Sequence, residues 1–320
     1  MYDVIALGEL LIDFTPSGKS EQGNNLFEAN PGGAPCNVLS MLKKCKKSTA
    51  FIGKVGNDIF GHLLKNTLGE VGIDDKGLKM TDDVRTTLAF VQIDEMGDRN
   101  FAFYRNPGAD MKLTEDEIDE TLIKNARLFH FGTLSMTHEG SRKATKRAIS
   151  YAKQNHLLIS FDPNLRPPLW DSLDTAIEQM KYGCSVCDIL KIEDKELEIM
   201  TGQKGIDAGI KYLQQNYSIS LILVTSGANG SRAYCNNKMV EKMAFLTNKT
   251  IDTTGAGDTF FGYCLSYILD NSIETITEEK LSKMLTFANA AASLVTTRKG
   301  AIKSMPDIEE VENWIHSCNQ

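Results

Sequence analysis

Short apolar runs alternate with amphipathic stretches along most of the chain, and this alternation constrains the fold more than any other feature. The runs are DVIAL at 3–7, AFIG at 50–53, RLFHF at 127–131, LLISF at 157–161, CDILK at 187–191 and SLILVT at 220–225. Helix-like segments lie between them, among them 138–154, 172–182 and 206–215. Strands flanked by helices of about 10–15 residues build βαβ units and a parallel sheet. Such sheets bind ligands at the carboxyl ends of their strands. No internal repeat, low-complexity tract or Pro/Gly/Ser linker divides the 320 residues. The chain reads as one α/β domain, 1–320.

One region breaks the pattern. Residues 87–104, TLAFVQIDEMGDRNFAFY, alternate at period two on both sides of Gly97-Asp98, which predicts an antiparallel hairpin. Together with the Gly/Asn-rich stretch after Phe14 it would form a small sheet projecting from the body. Pattern alone leaves three roles open for it: a lid, a dimer surface, or a plain edge hairpin.

Composition excludes several classes. Apolar residues make up 42% and charged residues 24%, too apolar for a mainly disordered chain. Lysine and arginine number 35 against 42 acids, a net charge of −7, and no basic stripe suits nucleic acid. No apolar run approaches the roughly 18 residues that span a bilayer. The segment MYDVIALGELLIDF carries Asp3 and Glu9 inside its apolar stretch. It therefore reads as a first strand, not a signal peptide, and the expected compartment is the cytoplasm. Seven cysteines do not make a disulfide framework, and the lone Cys184-x-x-Cys187 lacks a second ligand pair, so these read as buried thiols. The five histidines, His130 and His138 among them, show no metal-ligand spacing.

Three clusters carry potential chemistry. In DTTGAGDTFFGYCLSYIL, 252–269, Gly255 and Gly257 precede a strongly apolar helix beginning near Asp258. Glycines let several backbone N–H groups point one way, and the helix start adds partial positive charge, which suits phosphate. An acid at its centre would repel a phosphate. It makes sense facing a hydroxyl about to attack that phosphate, or simply as a favourable first-turn acid. In NPGGAPCNV, 30–38, Gly32 and Gly33 precede a helix with Asn37 in its first turn, a pattern that offers hydrogen bonds to a polyhydroxylated ligand. In FDPNLRPPLW, 161–170, Asp162, Asn164 and Arg166 follow a strand directly, prolines stiffen the loop, and Trp170 reads as its apolar anchor. Neither a G-x-x-x-x-G-K-[ST] loop, nor a first-strand G-x-G-x-x-G, nor a G-x-S-x-G elbow is present.

These three segments, in this order, resemble the PfkB (ribokinase-like) family of carbohydrate kinases over essentially the whole chain. GGAPCNVLSMLKKC…FIGKVGNDIFG at 32–61 is similar to the family's N-terminal signature and DTTGAGDTFFG at 252–262 to its C-terminal one. VTSGANGS at 224–231 and TTRKGAIKSMP at 296–306 also resemble family segments, while GELLIDF, FAFYRNPGAD and DPNLRPPLW look most like the fructokinase branch. The resemblance implies a three-layer α/β/α fold with a mostly parallel sheet and a small β-sheet lid from about 11–30 and 85–108. It implies an ATP-dependent sugar kinase making fructose 6-phosphate from D-fructose, with Asp258 as general base and the amides of Gly255, Ala256 and Gly257 as anion hole. Asp13, Gly33, Asn37, Arg105 and Arg166 would hold the sugar; Lys191, Thr225, Gly227, Gly230 and Asn289 the nucleotide. Asp252, Thr254, Val295, Gly300 and Ser304 would form a K⁺ site, and Mg²⁺ on the phosphates would lie near Glu196, largely through water. A homodimer through the lid is also implied.

Departures are few. The family's N-x-x-E reads Glu193-Asp194-Lys195-Glu196, Cys36 fills a slot usually without a thiol, and Ser226 stands where leucine is usual. An alternative within the class is a 2-keto-3-deoxygluconate kinase, whose substrate carboxylate would suit Arg105 with Arg166. A different-class alternative is a non-catalytic sugar or nucleotide sensor on the same fold. Helix-dipole reasoning further predicts an Asp258 pKa lowered by its helix N-terminus.

Overall fold

The computed structural model describes residues 1–93 and 99–318, and among them nine strands form a main sheet and four a smaller one. The chain opens with β1 (Tyr2–Leu7), β2 (Leu11–Lys19), β3 (Asn25–Gly32), α1 (Ala34–Lys44), β4 (Thr49–Gly56), α2 (Ile59–Val71) and β5 (Asp74–Thr81). There follow β6 (Leu88–Ile93), β7 (Arg99–Tyr104), α3 (Glu120–Lys124), β8 (Ala126–Gly132), α4 (Glu139–Gln154), β9 (Leu158–Asp162) and α5 (Leu173–Val186). The second half runs β10 (Ile189–Glu193), α6 (Asp194–Thr201), α7 (Ile206–Asn216), β11 (Leu221–Thr225), β12 (Ser231–Cys235) and β13 (Lys238–Lys242). It closes with α8 (Ala256–Asn271), α9 (Glu278–Val295) and α10 (Ile308–Cys318). Every strand and helix expected from the apolar alternation is present.

The main sheet has the order β13-β12-β11-β10-β9-β8-β1-β4-β5. From β11 to β5 all pairings are parallel, and β12–β13 adds an antiparallel edge hairpin. Period-two alternation splits the core into two layers. Val4, Ala6 and Leu128 pack with Val38 and Leu39 of α1, Leu68 of α2, Phe261 of α8 and Leu285 of α9. Ile5, Leu7, Phe129 and Phe131 face the other way, onto Ala148 of α4, Met180 of α5 and Leu213 of α7. Each of the buried Val, Leu, Ile, Phe and Met side chains contributes about 1.5–3 kcal/mol. From β1 the chain crosses to β4 and β5 on one side, whereas β8 to β11 build outward on the other. The carboxyl ends around β1 and β8 therefore open a crevice at a topological switch point.

The small sheet has the order β3-β2-β6-β7. β6 and β7 pair antiparallel as expected, β2 and β3 also pair antiparallel, and β2 joins β6 in parallel. The Gly97-Asp98 turn and the side chain of Phe101 lie outside the described residues. Phe14 stacks on Phe90 with centroids 4.8 Å apart, and Phe27 and Tyr104 meet Phe90 edge-on. Two polar puzzles of the sequence resolve as packing. Cys184 and Cys187 are buried, and burial pushes the Cys184 thiol up to about 12. His130 is buried beside Ser160 Oγ (3.0 Å) and against Phe261, and burial drives its pKa down to about 4. Among the described residues no helix is long and apolar enough to cross a membrane.

Candidate active site

The first turn of α8 organises the site. Gly255 caps the helix at φ 79°, a left-handed conformation that glycine adopts without strain. Three residues on, Asp258 is buried, and its Oδ2 accepts a 2.7 Å hydrogen bond from Asn37 Nδ2 of α1. Burial, then the charge of Asp162, push the Asp258 pKa up to about 6, against the Asn37 hydrogen bond, Lys191 and Arg166. This corrects the sequence expectation of a lowered value: desolvation of a carboxyl walled in by α1 and β10 outweighs one helix terminus. Asn37 Oδ1 is buried and has no hydrogen-bond partner among the described residues. An orphaned acceptor beside an acid suits a ligand hydroxyl.

Around this pair stand the other expected sugar residues. Asp13 enters from β2, with its pKa pushed up to about 7 by burial and by Asp252 and Asp258, against Arg166. Arg166 follows Asn164, which adopts φ 44°, and both line the cavity. Gly33 lines it too, its α-carbon so close to the Glu9 carbonyl that a side chain would collide. Arg105 is placed differently. It lies just past β7, it does not line the cavity, and its guanidinium is consumed by three protein partners. Nε and Nη2 each reach Asp110 Oδ2 at 2.7 Å, Nη1 donates to Thr137 Oγ1 at 2.8 Å, and Nη2 to the Leu134 carbonyl at 2.9 Å.

Beyond Asp258 the cavity changes character. Lys191 of β10 is buried and reaches Asp162 at 3.0 and 3.2 Å, and its pKa is held above the ordinary value despite burial because Asp162, Glu196 and Asp258 surround it. A Cβ built on Gly257 would lie 3.1 Å from Lys191 Nζ, so the ammonium stands at the glycine turn. Glu196 accepts from the amides of Leu165 (2.6 Å) and Glu193 (2.9 Å). Thr225, Gly227 and Gly230 line the far end, walled by Phe245, Leu246 and Thr250. Asn289 lines it as well, but its side chain is a clamp: Nδ2 donates to the carbonyls of Lys242 and Met243, and Oδ1 accepts from Ser231.

The five expected cation residues gather on two adjoining segments. Asp252 is buried, and its oxygens accept from the amides of Thr254 (2.8 Å) and Gly300 (3.2 Å). The Val295 carbonyl accepts from Arg298 N, and Ser304 Oγ donates to the Lys299 carbonyl. Gly255 touches Ala301 closely enough that an added Cβ would lie 2.8 Å from its methyl. Of the five, only Thr254 lines the cavity.

Several wall residues carry no sequence signal. Phe245, Leu246 and Thr250 sit between β13 and α8 without periodicity, and Leu134 is a single apolar residue, whereas Phe103 belongs to the period-two hairpin at 87–104. Glu9 was legible only as an acid in an apolar run. Among the described residues no three His, Cys, Asp or Glu side chains cluster as a metal cage.

The cavity measures ≈ 760 Å³, inside the range of about 300–1,000 Å³ usual for small-molecule sites. A helix head shaped for phosphate, with a buried acid and an orphaned amide oxygen one turn away, defines a phosphoryl-transfer site with a hydroxyl acceptor. Residues 1–308 match the model of the pfkB family carbohydrate kinases, and the chain belongs to that family. It is 42% identical over 305 residues to a protein named probable fructokinase-2 of Arabidopsis thaliana, covering 95% of this chain and 92% of that one. It is 40% identical to fructokinase-2 of Solanum lycopersicum, covering 96% and 94%. Among solved structures, the fructokinase with bound ATP from Xylella fastidiosa superposes with a TM-score of 0.88 at 29% identity, covering 100% of both chains. The fructose-, ADP- and calcium-bound fructokinase of Vibrio cholerae O395 also gives 0.88 at 29% identity, covering 98% of this chain and 99% of that one.

Proposed function

We propose that this chain transfers the γ-phosphoryl group of ATP to the 6-hydroxyl of D-fructose. The observation that carries this reading is Asp258, buried one turn into α8 and held by Asn37 at 2.7 Å, with the Gly255–Gly257 amides at the helix head beside it. The sugar hydroxyl gives its proton to the Asp258 carboxylate, its oxygen forms the new bond to phosphorus, and ADP departs with the electrons of the broken bond. Phosphoryl transfer has a loose transition state, so most of the acceleration comes from positioning and charge stabilisation. The helix head, its amides and Lys191 supply the charge; Asn37, Asp13 and Arg166 position the sugar.

The donor sets suit the expected metals. Asp252 and the backbone carbonyls of the 295–304 segment are hard oxygen donors, as K⁺ prefers, and a cation held there would steady the Gly255 turn through Ala301. Glu196 and Glu193 on the cavity wall suit Mg²⁺ carried by the nucleotide phosphates and met through water. The exposed Leu26, Phe27 and Tyr104 on the small sheet favour pairing of two copies through that sheet, which also acts as the lid. The sugar-acid alternative loses support because Arg105 is committed to Asp110. Purified enzyme with ATP and Mg²⁺ against fructose, ribose, adenosine and 2-keto-3-deoxygluconate tests the reading. Fructose should give the highest kcat/KM, and a preference for any other member rejects it.

A further inference from the structure

Glu9 has no role in the chemistry above, yet it lines the cavity. It follows Gly8 at the carboxyl end of β1 and is 3% exposed. Its Oε1 accepts a 2.8 Å hydrogen bond from the Ala34 amide at the head of α1. Among the described residues no side chain donates to the carboxylate. Its nearest charges are Arg105 and Asp110, whereas on α1 it faces the Cys36 thiol. Arg105 and Asp110 satisfy each other: both carboxylate oxygens of Asp110 are taken, one by Arg105 and one by Thr87, and the guanidinium donates in three directions. That pair is neutral as a unit, so it leaves the Glu9 carboxylate without a balancing side chain.

Resting on the fructose reading, we propose that Glu9 contacts the sugar and determines specificity. Its carboxylate, held by the Ala34 amide and its own backbone amide but by no side chain, accepts a hydrogen bond from a hydroxyl of a neutral sugar, and it repels a sugar bearing a carboxylate at that position. Two physical facts support this. A buried acceptor gains from a hydroxyl donor, and a hydrogen bond to a charged group is among the stronger ones. Arg105 cannot turn to a substrate carboxylate without stranding Asp110, a buried charge without its partner. Burial pushes the Glu9 pKa up to about 7, and a sugar hydroxyl donating to the carboxylate would offset this by favouring its ionised form.

Glu9→Gln tests this cleanly, because glutamine keeps an oxygen for the Ala34 amide while losing the charge. Wild type and variant are assayed for kcat/KM with fructose and with 2-keto-3-deoxygluconate, and sugar binding is measured by calorimetry without nucleotide. Thermal melting and the KM for ATP report on the fold and on the other end of the cavity. The expected result is a fall in kcat/KM for fructose on the order of 10–100-fold, carried mainly by KM. The fructose-to-acid ratio should shrink at least as much, with ATP KM unchanged and melting not lowered, since the variant removes a buried charge. Equal losses with both sugars, or a ratio that stays put, overturn the Glu9 assignment and leave a cap on α1. A wild type that prefers the sugar acid overturns the fructose reading itself, so the two failures are told apart.

Discussion

The two ends of the cavity handle charge in opposite ways. At the end proposed to hold the sugar, Glu9, Asp13 and Asp258 are acids whose pKa values burial lifts to about 7, 7 and 6. At the phosphate end Lys191 keeps its charge because Asp162, Glu196 and Asp258 surround it, and backbone amides at the head of α8 do the rest. Hydroxyls need acceptors that can take or share a proton near neutral pH. Phosphates need fixed positive charge that does not titrate there. One cavity supplies both because two helix heads, α1 and α8, converge on it from positions 221 residues apart in the chain.

The largest expected effect lies where the ends meet. Asp258→Asn should lower kcat by about 10²–10⁴ with little change in fructose affinity, and near-normal turnover would dissolve the distinction between acid end and phosphate end. The same variant should melt higher at pH 8, since it removes a buried charge. Next come the two ion pairs. Arg105→Ala strands Asp110 and should cost about 3–5 kcal/mol of stability in urea unfolding, while replacing both partners by leucine should recover most of it. Lys191→Met should cost turnover as well, because Lys191 lines the cavity and Arg105 does not. A purely structural loss at both positions would erase the contrast.

The pH profile is the third test. A base with a pKa near 6 is protonated below that value, so kcat/KM for fructose should be flat above about pH 7 and fall tenfold per unit below about pH 6. If Asp13 or Glu9 must also be ionised, the fall begins nearer pH 7 and steepens. Stability should run the other way. A carboxyl whose folded pKa is raised holds its proton while the unfolded chain has lost its own, so unfolding stability should decline as pH climbs from about 4 to 7 and then level off. The smallest effect concerns the cation segments, whose Gly300 turn packs against Asn30 of β3 and whose Asp252 also acts on Asp13. Replacing Na⁺ by K⁺ should raise kcat severalfold, and a flat response would show that Asp252 serves only to tie residues 252–254 to Gly300.

Much of this was legible beforehand, and the illegible part has a pattern. The β/α alternation and the helix opening at 255–258 are local, because side-chain period and glycine turns are encoded within a few residues. The β12–β13 hairpin left a faint local mark in Asn236-Asn237, both at positive φ, a turn chemistry that the apolar-run reading passed over. The family resemblance implied Arg105 as a sugar ligand, and the fold turned its side chain to Asp110, Thr137 and Leu134. Asn289 likewise matched a contact position and proved to be a clamp on the 242–243 carbonyls.

By itself the sequence determined the layered α/β architecture, the crevice at the strand ends and the phosphate-seeking helix head, because periodicity and turn chemistry are short-range. Tertiary structure alone decided the Asp258 pKa, the neutralising of Arg105 and the exposure of the Glu9 carboxylate to the cavity. Each of these depends on desolvation and on charges brought within a few ångströms from distant strands, and no spacing along a chain encodes such distances.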